Sequence, residues 1–155
     1  MNPSSVTDSP VDQSTRLSAL SRAPSAPVKA LAESVLAEVE ALGTVEVLVN
    51  RTGLVMLPYT DNASGVVFHL GEVLVAEAHV RIPTASGEPA QGYGMCLGRD
   101  LTQALAIAIL DAAATADIQT DAITQLVLAE RSRQANEQES LLRAVERTRV
   151  EMQTF

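Results

Sequence analysis

Seven alanines fall among the sixteen residues from Leu101 to Ala116, with Leu101, Leu105 and Ile109 spaced between them as a larger apolar stripe. A helix this narrow lets a neighbouring element come close to its backbone, so the pattern predicts a helix lying tight against a sheet. Asp111 interrupts the apolar run. A carboxylate there needs a hydrogen-bonding partner if it is buried, and its simplest placement is an exposed edge of the helix.

The sheet this helix requires is legible upstream. Five runs alternate with period two or are wholly apolar: Val45–Asn50, Leu54–Tyr59, Gly65–Leu70, Val73–Ile82 and Tyr93–Leu97. The turn residues Arg51-Thr52-Gly53 and Asp61-Asn62-Ala63-Ser64 separate the first three, and Gly71-Glu72 suits a two-residue hairpin between the third and fourth. The loop before the fifth contains Pro83, Gly87 and Pro89. Helical spacing marks a short helix over Ser14–Ser21, interrupted by Pro24 and Pro27, and a second over Val28–Leu42, stopped by Gly43. Thr120 is the expected cap of a last long helix that is apolar at both ends and polar from Glu130 to Ser140, where solvation is the default. The sequence therefore reads as an α+β chain: a mostly antiparallel sheet of about five strands in chain order, with N-terminal and C-terminal helices. Residues 14–155 are expected to form a single domain behind a Ser/Pro-rich tail, residues 1–13, expected to be disordered.

Composition narrows the function. The chain has 155 residues, a formal charge of -8, no tryptophan and four Phe or Tyr, so its core must be built from Val, Leu, Ile and Ala. An acidic balance with one lysine argues against nucleic acid or an anionic membrane as partner, because those require a basic footprint. No apolar run approaches the roughly 20 residues of a membrane helix, and the first residues lack the pattern of a signal peptide, which points to the cytoplasm. The single Cys96 excludes an internal disulfide and any multi-cysteine metal site.

A hairpin at Gly71-Glu72 places Leu74, Ala76, Ala78, Val80 and Ile82 on one continuous apolar face, the natural core side. It also makes Val66, Phe68, Leu70, Val73 and Val75 an apolar patch on the other face. An open antiparallel sheet usually solvates one face, so that patch must be covered by a helix of this chain or by another subunit; we read these five residues as interface candidates. In the same register His69 and His79 lie roughly 17 Å apart on opposite faces and share no metal.

Self-sufficient catalysis is not written in the chain. It has no Gly-x-Ser-x-Gly, no His-x-x-x-His and no phosphate-binding Gly-Lys-Ser/Thr loop. Glu72, Glu77 and His69 are scattered around one hairpin, each able to lend one group to a shared site. At Leu97-Gly98-Arg99-Asp100, the amides of the following helix together with Arg99 would favour an anion. Asp100, however, supplies its own carboxylate as N-cap, so a structural cap with a solvated or partner-bound Arg99 is the better reading. Gly92 and Gly94 flank Tyr93 and either allow close backbone approach or mark a bulge, the commoner case. Arg99 and Tyr93 are thus the candidate catalytic residues.

Three segments, GVVFHLGEVLVAEAHVRI (Gly65–Ile82), GYGMCLGRD (Gly92–Asp100) and the spaced alanines ending in Asp111-Ala112, resemble the PhnG family, one component of the bacterial phosphonate carbon-phosphorus lyase core complex. The resemblance runs from about Thr15 to the end, is strongest from Thr52-Gly53-Leu54-Val55 through Asp111-Ala112, and includes a C-terminal motif at Thr148-Arg149-Val150-Glu151. The chain departs from the family in its Ser/Pro-rich leader and in ending Met152-Gln153-Thr154-Phe155, where members usually carry paired phenylalanines and a further tail. The resemblance implies partnership with carbon-phosphorus lyase subunits I, H and J and the ATPase-like subunits K and L. It also implies a part in joining an alkylphosphonate to the ribose of ATP, with release of adenine, where ATP with Mg is a co-substrate of the complex and this chain binds no cofactor alone. The later radical cleavage belongs to the iron-sulfur component, called J, which a chain with one cysteine cannot be. ATP and a phosphonate bring several negative charges together, and a chain with so few cations is expected to support a cationic surface supplied mainly by the component called I, lending at most Arg99 or Tyr93.

Overall fold

The computed structural model describes residues 11–148, in the order α1 (Gln13–Leu20), α2 (Ser25–Glu40), β1 (Glu46–Thr60), β2 (Val67–Ile82), β3 (Ala90–Leu97), α3 (Leu101–Thr115) and α4 (Thr120–Arg147). The α+β class holds, and the sheet is antiparallel in chain order, β1-β2-β3. The described residues contain three strands where about five were expected. Val45–Asn50 and Leu54–Tyr59 are parts of one fifteen-residue strand that continues through Arg51-Thr52-Gly53, and Gly65–Leu70 and Val73–Ile82 are parts of another.

The phase change at Gly71-Glu72 that reads as a hairpin is a β-bulge. Leu57 pairs with Gly71 and the next residue, Pro58, pairs with His69, so Leu70 is the extra residue in β2. A turn and a bulge both break the alternation of faces, and the sequence pattern alone does not distinguish them. A second bulge puts Leu48 outside the ladder of β1. His69 and His79 consequently lie on one strand, roughly 33 Å apart at strand rise rather than across a hairpin. The true hairpin turn is Asp61–Ser64: the Asp61 carboxylate accepts from the Ser64 amide at 3.0 Å, and Gly65 takes the left-handed φ of +69° that closes it. The Ser64 hydroxyl holds the Asp61 carboxyl below its ordinary range.

Helix α3 is the centre of the molecule. One side lies on β2 and β3 and other sides meet α2, α1 and α4, so almost every residue from Gln103 to Ala113 is buried. Its all-round apolar composition matches that position. The sheet contact is made by Ala76, Ala78, Val80 and Ile82, with Gly92 and Gly94 opposite Val80 and Ala78. A Cβ added to Gly94 would stand 2.1 Å from the Ala104 carbonyl oxygen, and one on Gly92 the same distance from that of Ala108. The β2-β3 ladder runs without a shift past both, so these glycines serve helix approach and not a bulge. The Leu101-Leu105-Ile109 stripe is the less buried side of the helix; Ile107 and Leu110 are its fully buried large side chains.

Asp111, expected at an exposed edge, is 0% exposed. Its Oδ1 accepts from Arg16 Nη2 at 2.6 Å and Nε at 3.0 Å; its Oδ2 accepts from Gln13 Nε2 at 2.8 Å and from the backbone N–H of Tyr93 at 3.1 Å. The four donors satisfy the carboxylate in an otherwise apolar interior, which permits its burial. They also tie α1, α3 and β3 at one point. Order already extends into the stretch read as a tail, since Asp12 caps α1 by accepting from the Thr15 amide; residues 1–10 and the C-terminal motif beyond Thr148 lie outside the described residues.

At the start of α4 the N-cap position is Gln119, at φ 49°, and the Thr120 hydroxyl is buried without a hydrogen bond, so the expected Thr120 cap is not formed. Gln119 instead joins α2, donating to Glu38 Oε2 at 2.9 Å. The polar middle of α4 is divided. Glu130 is buried and pairs with Arg133, and Gln134 donates to the Ala19 carbonyl at 2.9 Å, whereas every described residue from Ala135 onward is exposed.

Candidate functional site

Two surfaces remain once the helices have covered one face of the sheet. The first is the opposite face of β1, β2 and β3, where the register lines up Arg51-Glu77-Met95, Val49-His79-Tyr93 and Glu46-Arg81-Gln91 in rows. Glu77 is the hub. Its Oε1 accepts from Arg51 Nε at 2.6 Å, and the Tyr93 hydroxyl lies 3.5 Å from its Oε2. The Tyr93 ring also meets the His79 ring edge to face, with centroids 4.6 Å apart. Burial, then the charge of Glu77, raises the Tyr93 phenol above its ordinary range, so at neutral pH it is a hydrogen-bond donor and not a phenolate. Arg81 pairs with Glu46 at 2.9 Å. Each arginine of this face is matched by a carboxylate, leaving little positive charge for a polyanion.

The second surface is the far half of the β1-β2 hairpin. Beyond Gly53 and Leu74 the two strands run on as an arm with neither β3 nor a helix against them, exposed on both faces. By register, Leu54, Met56 and Val67 share the face that continues the helix-covered side, while Val55, Leu57, Tyr59 and Phe68 continue the open side. The Tyr59 and Phe68 rings pack with centroids 5.3 Å apart. Among the interface candidates, Val66, Phe68 and Leu70 lie exposed on this arm and Val73 is half-buried at its base. Val75, at 3% exposure between Gly53 and Leu97, offers a partner almost no surface.

Arg99 and Tyr93 are not brought together. Four residues of strand, roughly 13 Å, separate Tyr93 from Leu97, and Arg99 lies beyond the strand end, exposed, with no hydrogen bond or ion pair from its side chain to any described residue. Its neighbour Asp100 caps α3 as expected, accepting from the Gln103 amide at 2.9 Å, and is held further by Lys29 at 2.8 Å. Lys29 first, then that amide, hold the Asp100 carboxyl below its ordinary range, so a carboxylate already occupies the helix start. Cys96 is buried, and its thiol is pushed up by that burial and by Asp100, against nucleophilic chemistry. Among the described residues no group of three or more His, Cys, Asp or Glu is placed to hold a metal ion, and no helix is long and apolar enough to cross a membrane.

Sequence reasoning misses Arg51, His79, Arg81 and the Arg16-Asp111 pair. Alternation along Val73–Ile82 already sets His79 and Arg81 on one face with Glu77, but nothing local adds Arg51 to them, because its row depends on the continuous β1 strand. Asp111 does carry a signal: it is the one charged residue in a fifteen-residue, mostly apolar helix.

No curated protein matches the chain. A family model, described as phosphonate metabolism protein PhnG, matches residues 12–155, nearly the whole chain and every strand and helix described above. The chain therefore belongs to the PhnG family, whose members take part in phosphonate metabolism.

Proposed function

We propose that this protein is a non-autonomous, cytoplasmic subunit of the carbon-phosphorus lyase core complex. In this reading it supports the transfer of an alkylphosphonate to the ribose C1′ of ATP, with release of adenine, in company with subunits I, H and J and the ATPase-like K and L. One observation carries the reading: the hairpin arm leaves two apolar faces in water, neither of them covered by this chain. Nine aliphatic or aromatic side chains of the arm keep between 39% and 62% of their surface exposed. At roughly 150–200 Å² for each residue they present on the order of 800 Å² over the two faces, so each face carries a patch comparable to the roughly 300–600 Å² of the largest on a typical monomer.

The charge pattern favours a supporting role over a catalytic one. Arg51 and Arg81 are already paired, and Arg99 stands apart from the Tyr93 cluster. The cleft of about 120 Å³ between α2 and α3 is below the roughly 300 Å³ at which sites for drug-sized ligands start. The neighbouring one of about 480 Å³ has Glu40 as its one charged side chain and no cation, which speaks against a stand-alone small-molecule binding protein for an anionic ligand. A purely structural scaffold is therefore the second reading.

Co-expression with subunits H, I and J of the same organism, followed by affinity purification and native mass measurement, tests the proposal. A stable assembly is the expected result; a folded monomer that captures none of them defeats it. Turnover by the assembly carrying Arg99→Ala or Tyr93→Phe then separates the readings, since unchanged rates in both select the scaffold.

A further inference from the structure

The arm is unlike an ordinary sheet edge in three ways. It is two-faced: with no layer on either side, Leu54, Met56 and Val67 face one way and Val55, Leu57, Tyr59 and Phe68 the other, all exposed. It is thinly guarded: from Thr52 to Val73 there is no lysine or arginine, and the carboxylates are Asp61, at the turn, and Glu72, opposite Met56, although edge strands are commonly protected by lysine or other charges. And it projects: seven residues of β1, Leu54 to Thr60, extend roughly 24 Å beyond the third strand. The opposite edge of the sheet is treated differently, for there Asp111 takes the backbone N–H of Tyr93 from within the chain.

We infer that the arm is an insertion element, gripped on both faces at once by an aliphatic-lined cleft of a different polypeptide. This rests on the subunit reading above and specifies the contact. A second copy of this chain does not meet the requirement. Two arms paired edge to edge leave both faces of the ribbon in water, and two arms stacked face to face leave the outer faces in water. A concave partner that takes the ribbon between two walls covers both. The area agrees: on the order of 800 Å² from the arm alone matches the roughly 800 Å² that one partner contributes to a standard stable interface. The cleft must be apolar except where Glu72 meets it on the Leu54-Met56 face, where a cation or hydrogen-bond donor is required, because nothing else on the arm short of its tip would pair a charge.

Two double variants test the grip, each placing charges on one face: Leu54→Lys with Met56→Lys, and Val55→Lys with Leu57→Lys. All four positions are exposed on an edge strand that readily carries lysine, so the isolated chains should melt as the parent does. Co-expressed with subunits H, I and J, the parent is measured first; if it captures none of them, the subunit reading itself fails and the grip with it. Where the parent assembles, each variant should lose about tenfold or more of the recovered complex, because each face then buries at least one lysine without a partner: Glu72 stands opposite Met56, but no carboxylate stands opposite Leu54, Val55 or Leu57. Loss with one variant only means that the arm lies flat on a surface and overturns the inference. Full assembly with both places the interface elsewhere and overturns it while sparing the subunit reading. An isolated parent chain with twice the monomer mass, returned to monomer by either variant, assigns the arm to a second copy and also overturns it.

Discussion

The two halves of β2 make an instructive pair. From Val75 to Ile82 the strand lies between β1 and β3 and beneath α3, and its helix-facing residues are fully buried. From Val67 to Glu72 the same strand, still rich in apolar residues and paired with the same neighbour, stands in water, and Val73 and Leu74 are half-buried. Composition does not separate them. The difference is that β3 ends at Leu97, opposite Val75, and α3 begins only after the chain has turned back. Hydrophobic character states that a surface will be covered; the extent of neighbouring elements states whether the chain itself does so.

The sharpest break in the comparison comes from the covered half. Asp111→Ala leaves the Arg16 guanidinium buried without its carboxylate and frees α1 from β3; we expect a loss of about 3–5 kcal/mol in chemical denaturation, large enough to threaten folding. Replacing both Arg16 and Asp111 by Leu should cost less than removing Asp111 alone, since no unpaired charge then remains. Gly94→Ala comes next. The added methyl meets the Ala104 carbonyl oxygen, so α3 must lift from the sheet, at an expected cost of about 2–3 kcal/mol by the same measurement. The lysine variants of the arm supply the contrast, as their isolated chains should keep the parent's midpoint within the error of a melt. A strongly destabilised arm variant would mean that the far half also supports the fold.

The smallest effect concerns acid. Lys29 and the Gln103 amide depress the Asp100 carboxyl in the folded state, so the stability it contributes is present above the unfolded value near pH 4 and is lost as the pH falls through the lower folded value. Asn remains a competent N-cap, so Asp100→Asn should keep most of the neutral-pH stability while flattening this part of the acid limb in a pH series of melts. An unchanged acid limb would show that the half-exposed pair contributes nothing measurable.

Much of this architecture is legible in the chain. Four helices lie close to where periodicity and proline place them, and Asp100 caps α3 as its position before an apolar run suggests. Alanines spaced along α3 announce a close helix-sheet contact, and Gly92 and Gly94 supply its other half. A local reading divides the strands wrongly because Gly53 and Gly71 resemble turn residues, while extended glycine inside a long strand leaves the same mark. The bulge at Leu70 then shifts the alternation as a hairpin would. The Tyr93 cluster is hidden for the same reason: its rows across three strands exist only once the long strands are in register.

Local sequence by itself determined the helices, the Asp100 cap, the Asp61–Ser64 turn and the narrow alanine surface, because each depends on residues within a turn or two of one another. It also determined an apolar excess that this chain's own core does not absorb. Only the tertiary structure decided that Asp111 is buried, that Val75 is covered while Phe68 is not, and that the exposed surface is a two-faced arm. The reason is one of range: burial depends on where distant segments end, and the last residue of β3 settles the environment of residues roughly twenty to forty positions before it.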